Sequence, residues 1–258
     1  MRQVESETGV RTRLKSNRLV RSAYLIVREI LTAVLSDPRL WRGRSPEVRA
    51  LREIGVCRMD SFFGRELCER LRVEVEKLVT EQSELTGSDR RRFQAQDVGI
   101  INKYFTQNKT IHEIGSNYVR RKLKFQTTLA AVLECQPGNK GSGQGWHRDS
   151  YAKQVKSIVY LNDVASDGGP FEYLRGSHRL RNILVHSQIL ANIGDGGYNG
   201  VRYSDDEIER LKSITGAESE TFPGKKGDLL IADTRGIHRG VPIARGNRVA
   251  LTNYFIDF

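Results

Sequence analysis

From Gly87 to the C-terminus the sequence is a series of short apolar stretches separated by glycine and polar turns. This punctuation constrains the fold more than any other feature. The stretches are Val98–Ile101, Leu129–Leu133, Ser157–Leu161, Phe171–Leu174, Leu229–Ala232 and Val249–Phe255. The last one alternates: Val249, Leu251, Asn253 and Phe255 fall on one face, with Ala250, Thr252, Tyr254 and Ile256 on the other. Short strands with regular turn signals predict a β-sandwich or barrel. Helical spacing is concentrated before this region. Apolar residues recur every three or four positions from Leu19 to Leu35, until Asp37-Pro38 stops the helix. A short strand over Ile54–Met59 precedes a helix from about Arg65 to Leu78, with Leu67, Leu71, Val75 and Leu78 on one face. One long interruption separates the later strands, from about Leu180 to Pro223. It holds the glycine-rich run Gly194–Gly200 and a helix from about Asp205 to Ile214, opened by a Ser204/Glu207 capping box. Its place between core strands predicts a lid over a site.

Composition narrows the function classes. A chain of 258 residues, 38% hydrophobic and 28% charged, can bury a full core and is neither disordered nor a small disulfide scaffold. No apolar run approaches the roughly 20 residues a membrane span needs, and no secretory signal is evident. Three cysteines, Cys57, Cys68 and Cys135, match no zinc spacing and read as free thiols in a reducing, cytoplasmic compartment. The formal charge is +11, and residues 1–50 carry eleven basic residues against five acidic ones. The excess is therefore concentrated in an N-terminal arm containing Arg11, Arg13, Lys15, Arg18 and Arg21. Such an arm is a solvated or subunit-contact segment, or binds an anionic surface. No nucleic-acid-binding motif accompanies it, so nucleic acid is not the expected partner. The expected organisation is an arm and helix over 1–50 and one β-rich domain over 51–258.

Among five histidines, only His147 has a carboxylate two residues away, in Trp146-His147-Arg148-Asp149. On an extended segment the two side chains project to one face and can grip one ion. A second imidazole from a distant strand would complete a 2-His-1-carboxylate set, which suits iron(II) that must also hold a co-substrate and oxygen. His238 stands just past the apolar strand of Gly227-Asp228-Leu229-Leu230-Ile231-Ala232-Asp233. Ten residues on, Arg248 opens the alternating strand, where a guanidinium can hold a carboxylate through two parallel hydrogen bonds. Arg245 is its competitor for that role, but falls in the Ala244–Asn247 turn. His178 more simply pins a strand end. His112 and His186 have no constellation around them.

These motifs, with Gly168-Gly169-Pro170-Phe171-Glu172-Tyr173-Leu174-Arg175-Gly176-Ser177-His178 and His238-Arg239-Gly240, resemble the phytanoyl-CoA dioxygenase family of iron(II)/2-oxoglutarate-dependent oxygenases. The resemblance runs from about Leu51 to the C-terminus. It implies a mainly β fold with flanking helices, whose core is a double-stranded β-helix of the jelly-roll or cupin type. It makes His147, Asp149 and His238 the iron ligands and Arg248 the partner of the distal 2-oxoglutarate carboxylate. It also implies a basic residue on an early strand near the co-substrate, for which Lys103 is the candidate. Some members carry a hydroxyl two residues beyond the distal histidine; here that position is Gly240, and Thr252 can supply the bond instead. Trp146 packs beside the ligands or stacks on substrate, and is the candidate substrate contact.

The implied activity is hydroxylation of a small molecule, using O2 and 2-oxoglutarate and releasing succinate and CO2. Halogenating relatives lack the ligand carboxylate, so Asp149 argues against that outcome. Two other readings stay open: a non-oxygenase or inactive binder on the same scaffold, and a protein whose basic arm is its working part.

Overall fold

A computed structural model of the chain describes residues 22–27, 30–31, 45–81, 84–86, 89–136, 138, 140–193 and 201–256. Its framework is a seven-stranded antiparallel sheet. The strands are β1 (Val56–Met59), β2 (Glu84–Thr86), β3 (Asp89–Arg92), β4 (Lys124–Glu134), β5 (Gln154–Tyr160), β8 (Leu229–Asp233) and β10 (Asn247–Ile256). They are ordered β1-β8-β5-β10-β4-β3-β2. A smaller sheet, ordered β7-β6-β9, contains β6 (Phe171–Leu174), β7 (Ser219–Phe222) and β9 (His238–Gly240). An isolated bridge between His147 and His238 extends it on the β9 side.

The period-two alternation decides which face of the large sheet meets what. Val155, Val159, Leu229, Ile231, Val249, Leu251 and Phe255 join the core beneath three helices: α1 (Pro46–Glu53), α2 (Arg65–Glu81) and α3 (Lys109–Val119). Their neighbours Tyr160, Leu230 and Ala232 turn the other way and pack against Phe171, Tyr173 and Phe222 of the small sheet. Two sheets thus face each other, with helices buttressing the larger one. Helix α2 shows how sequence sets this packing: Cys68, Leu71, Val75 and Val79 recur on one face and all are buried. Each such side chain contributes roughly 1.5–3 kcal/mol of burial.

Two expectations change. The stretch Val98–Ile101 is not a strand. Gly99–Ile101 is a helical turn that continues as a π-helical turn over Asn102–Thr106, burying Ile101 and Phe105. A short apolar run does not distinguish strand from helix, and here i, i+4 spacing prevails. The boundary at residue 50 also falls inside α1, whose Val48 and Leu51 belong to the main core. Of the N-terminal helix, 22–27 and 30–31 are helical, and Leu25 is buried against Tyr151 and Ile183. The basic residues Arg11 to Arg21 lie outside the described residues.

The interruption after residue 180 is helical and packed through most of its described length. Helix α4 (Leu180–Ile193) and helix α5 (Asp205–Thr215) pack through Leu190, Ile208 and Leu211 onto Trp146, Leu174 and Ile237. β7 already belongs to the small sheet. Residues 201–203 run beside the His147 segment, where Arg148 N–H donates to Val201 O and Tyr203 N–H to Trp146 O. Glycines 194, 196, 197 and 200 lie outside the described residues. No helix among the described residues is long and apolar enough to cross a membrane.

Candidate metal centre

The small-sheet side brings His147, Asp149 and His238 together, with one ligand atom from each lying within 4.8 Å of the others. Backbone pairing does this. His147 N–H donates to His238 O and His238 N–H to His147 O, both at 2.9 Å, while Asp149 N–H donates to Thr234 O at 3.1 Å. Each ring is oriented by the carbonyl two residues before it. His147 Nδ1 is 2.9 Å from Gly145 O, and His238 Nδ1 is 2.9 Å from Gly236 O. A carbonyl only accepts, so both Nδ1 atoms carry the proton and both Nε2 atoms keep a lone pair. Those Nε2 atoms stand 3.7 and 3.8 Å from the two oxygens of Asp149. Gly143 makes the approach possible: at φ +84°, a Cβ there would come within 2.1 Å of the His147 ring.

The electrostatics suit a metal. Burial lowers the pKa of His147, and burial together with the neighbouring imidazole pushes His238 down to about 3. Both rings are therefore neutral ligands at neutral pH. Burial works against the Asp149 carboxylate, but Lys156 and the two imidazoles outweigh it and hold its pKa below the usual range. Lys156 Nζ is 2.6 Å from Asp149 Oδ2.

A cavity of about 320 Å³ extends from this cluster along β10, lined in part by Arg248, Ala250, Thr252 and Tyr254. Arg248 is buried at 7% exposure; it donates to Gly169 O while its Nε has no partner. Arg245 is on the surface, its side chain 87% exposed and 3.8 Å from Asp167. Of the two, only Arg248 lines the cavity.

Thr252 also lines this cavity, but Lys103 does not. Lys103 rides on the π-helical turn, its ammonium 4.9 Å from the ring centroid of Tyr104. The loss of the expected strand over 98–101 removed the reason to aim it inward. Trp146 is corrected too. It is buried behind the ligand segment, with the Arg239 guanidinium 4.4 Å from its ring centroid, and does not line the cavity.

Sequence reasoning missed three cavity residues. Arg91 of β3 is a basic side chain on an early strand; it pairs with Asp89 and donates to Ser142 Oγ at 3.3 Å. Ser142 places a hydroxyl beside Gly240, whose N–H donates to Ser142 O. Lys156 is the one charged residue of β5, and a charge on a strand that is otherwise uncharged was the available signal.

Residues 51–244 match the family model described as phytanoyl-CoA dioxygenase (PhyH). The chain belongs to that family. Arg248 and Thr252 lie past the matched span, so their position rests on the continuity of β10. No curated protein matches the sequence.

Solved structures resemble this phytanoyl-CoA dioxygenase family member throughout the domain. The epimerase SnoN from nogalamycin biosynthesis, in complex with Fe3+, alpha ketoglutarate and nogalamycin RO, aligns with TM-score 0.64 and 17% identity, over 86% of this chain and 85% of that one. The carbocyclase SnoK from the same biosynthesis aligns at 0.60 and 16%, over 84% and 85%. HygX from Streptomyces hygroscopicus, with nickel, 2-oxoglutarate and hygromycin B bound, aligns at 0.56 and 16%, over 81% and 86%. At these identities the likeness is one of fold, the jelly roll of the iron/2-oxoglutarate oxygenases. The donor set here fits the family's cofactors. Two neutral imidazoles and a carboxylate suit iron(II), and a buried guanidinium with an unpartnered Nε suits an incoming carboxylate such as that of 2-oxoglutarate.

Proposed function

We propose that this protein is an iron(II)/2-oxoglutarate-dependent dioxygenase that hydroxylates a small molecule. One observation carries the reading: three converging ligand atoms on the wall of a cavity that also holds a buried, incompletely paired Arg248. Together, bound iron(II), 2-oxoglutarate and O2 supply the oxidation, so that a substrate C–H becomes C–OH while 2-oxoglutarate leaves as succinate and CO2.

The chain's own residues determine where this happens. His147, Asp149 and His238 would hold the metal, and all three line the cavity. Arg248 receives the distal carboxylate of 2-oxoglutarate, with Arg91 adding positive charge and Thr252 and Ser142 offering hydroxyls along the wall. Trp146, Leu174 and Ile237 close the back of the ligand segment to water. The placement of the reacting C–H bond decides between hydroxylation and another oxidative outcome; SnoN and SnoK, an epimerase and a carbocyclase, show that this fold carries both of those. Free thiols at Cys57, Cys68 and Cys135 support a reducing, cytoplasmic setting.

The test is to load the purified protein anaerobically with iron(II) and 2-oxoglutarate, follow the metal-to-ligand charge-transfer band, then admit oxygen with a metabolite panel and measure succinate. The band, and succinate formation stimulated by a substrate, are expected. A protein that forms neither is an inactive binder on the same scaffold.

A further inference from the structure

We infer that Lys156 is the anchor for a carboxylate on the primary substrate, so that this enzyme acts on a small organic acid. The inference rests on the oxygenase reading and goes beyond it by naming the substrate class.

The cavity has two ends. Inward side chains of β10 run from Arg248 through Ala250 and Thr252 to Tyr254. Six residues of strand separate the ends by about 20 Å. Arg248 lies beside Gly240, two residues past His238, since a Cβ on Gly240 would come within 3.2 Å of Arg248 Nη1. Lys156 belongs to the other end. It pairs in register with Tyr254, and its ammonium sits 4.4 Å from that ring centroid. The distal carboxylate of the co-substrate is accommodated at the Arg248 end, which leaves the Lys156 end for a different molecule.

The counter-charges single out this residue. Five cationic side chains line the cavity, Arg91, Arg148, Lys156, Arg202 and Arg248, against Asp149 as the one carboxylate among the described lining residues. Arg91 is paired with Asp89. Arg148 is held by the carbonyls of Ser177 and Arg235 and by the Tyr203 hydroxyl. Arg202 donates to Gly143 O at 2.6 Å. Lys156 alone has a metal ligand, Asp149, as its ion-pair partner among these groups. Once Asp149 lends its charge to a divalent metal, the ammonium is left 8% exposed and facing another cation. A buried charge without a counter-ion is costly. A substrate carboxylate restores the balance, and one ammonium matches one negative charge. Beside it, the Tyr254 ring lines the cavity and offers an apolar surface for the rest of the acid.

The experiment uses the protein loaded anaerobically with iron(II) and 2-oxoglutarate. It is titrated with hexanoate and benzoate, and in parallel with hexanamide and benzamide, following perturbation of the charge-transfer band. In the wild type the acids should bind at least tenfold more tightly than their amides. Lys156→Met should bring that ratio close to one, with 2-oxoglutarate affinity within about twofold, and Lys156→Arg should retain the preference. A wild type without acid preference, or a Lys156→Met variant that keeps it, overturns the proposal. So does a large loss of 2-oxoglutarate affinity in Lys156→Met, which would assign the lysine to the co-substrate. A wild type that forms no charge-transfer band instead fails the oxygenase reading, and the substrate proposal falls with it.

Discussion

The two sheets contribute to the cavity in different ways. On the small-sheet side the functional groups stand on short, irregular segments. His147 and His238 face each other across a single bridge, and backbone carbonyls fix both rings. On the large sheet they stand on regularly paired strands, where Arg91, Lys156, Arg248 and Thr252 project inward through the ordinary alternation of β3, β5 and β10. The first arrangement fixes a geometry within a few ångströms. The second spreads charge along a trough. Metal chemistry needs the former, and recognition of extended anions needs the latter.

This difference is open to direct attack. The largest effect belongs to the small-sheet side: His147→Ala, Asp149→Ala or His238→Ala should each abolish turnover and stoichiometric iron, because a three-ligand set has no redundancy. Iron content and succinate release measure this, and normal values for both in any one variant would remove that residue from the centre. Next comes the backing of that side. Trp146→Ala empties a buried site among Leu174, Tyr203 and Ile237 and should cost about 3–5 kcal/mol of stability by chemical denaturation. If Trp146→Ala instead left stability intact and altered substrate affinity alone, the tryptophan would belong in the cavity after all.

The large-sheet side should fail more selectively. On the proposed reading Arg248→Ala removes the partner of a buried carboxylate, typically a loss of about 2–5 kcal/mol. At about 1.4 kcal/mol per tenfold, 2-oxoglutarate should bind roughly 30-fold or more weakly, with iron affinity nearly unchanged. Arg245→Ala and Lys103→Ala, both outside the cavity, should leave it as in the wild type. Loss of the co-substrate in Arg245→Ala with retention in Arg248→Ala would reverse the assignment.

The same contrast explains what the sequence made legible. A metal pair two residues apart is a local pattern, so His147 and Asp149 stand out without any fold. His238 follows because a histidine stands just past a recognisable apolar strand. The alternation of Val249–Phe255 was likewise readable, since one face meets helices and the other a cavity. Arg91 and Lys156 were hidden because their role depends on which strands become neighbours. Arg91 reaches the cavity only because β3 pairs with β4, and nothing near residue 91 encodes that. Lys156 reaches Asp149 because β5 pairs with β8 while the Asp149 segment is tied to Thr234, just past the end of β8. Lys103 and the segment over 98–101 are ambiguous in the sequence for the opposite reason: a short apolar run satisfies two periodicities, and the burial of Ile101 and Phe105 selects the helical one.

The smallest expected effect concerns protons behind the small sheet. His186 on α4 is buried, its Nδ1 has no partner, and burial with the nearby Arg148 charge pushes its pKa down to about 4. The unfolded chain binds a proton near pH 6.5, whereas the folded chain resists until about 4. Above pH 6.5 neither state is protonated and the residue adds no pH dependence. Between these values the unfolded state carries the extra proton, so stability falls as pH falls, by up to about 1.4 kcal/mol per unit. His178, also pushed down to about 4 by burial, adds a similar slope. Denaturation at pH 7.0 and 5.5 should therefore show a loss that His186→Leu reduces by about 1 kcal/mol, the share of one titrating group over that interval. Hydrogen exchange under the same conditions locates the loss. Amides of α4 should open before those of β4 and β10, because the ring that resists protonation belongs to the elements backing the metal ligands. Equal loosening of both regions, with the His186→Leu variant as acid-sensitive as the wild type, would show that the two sides respond to protons as one body and that His186 carries none of the slope.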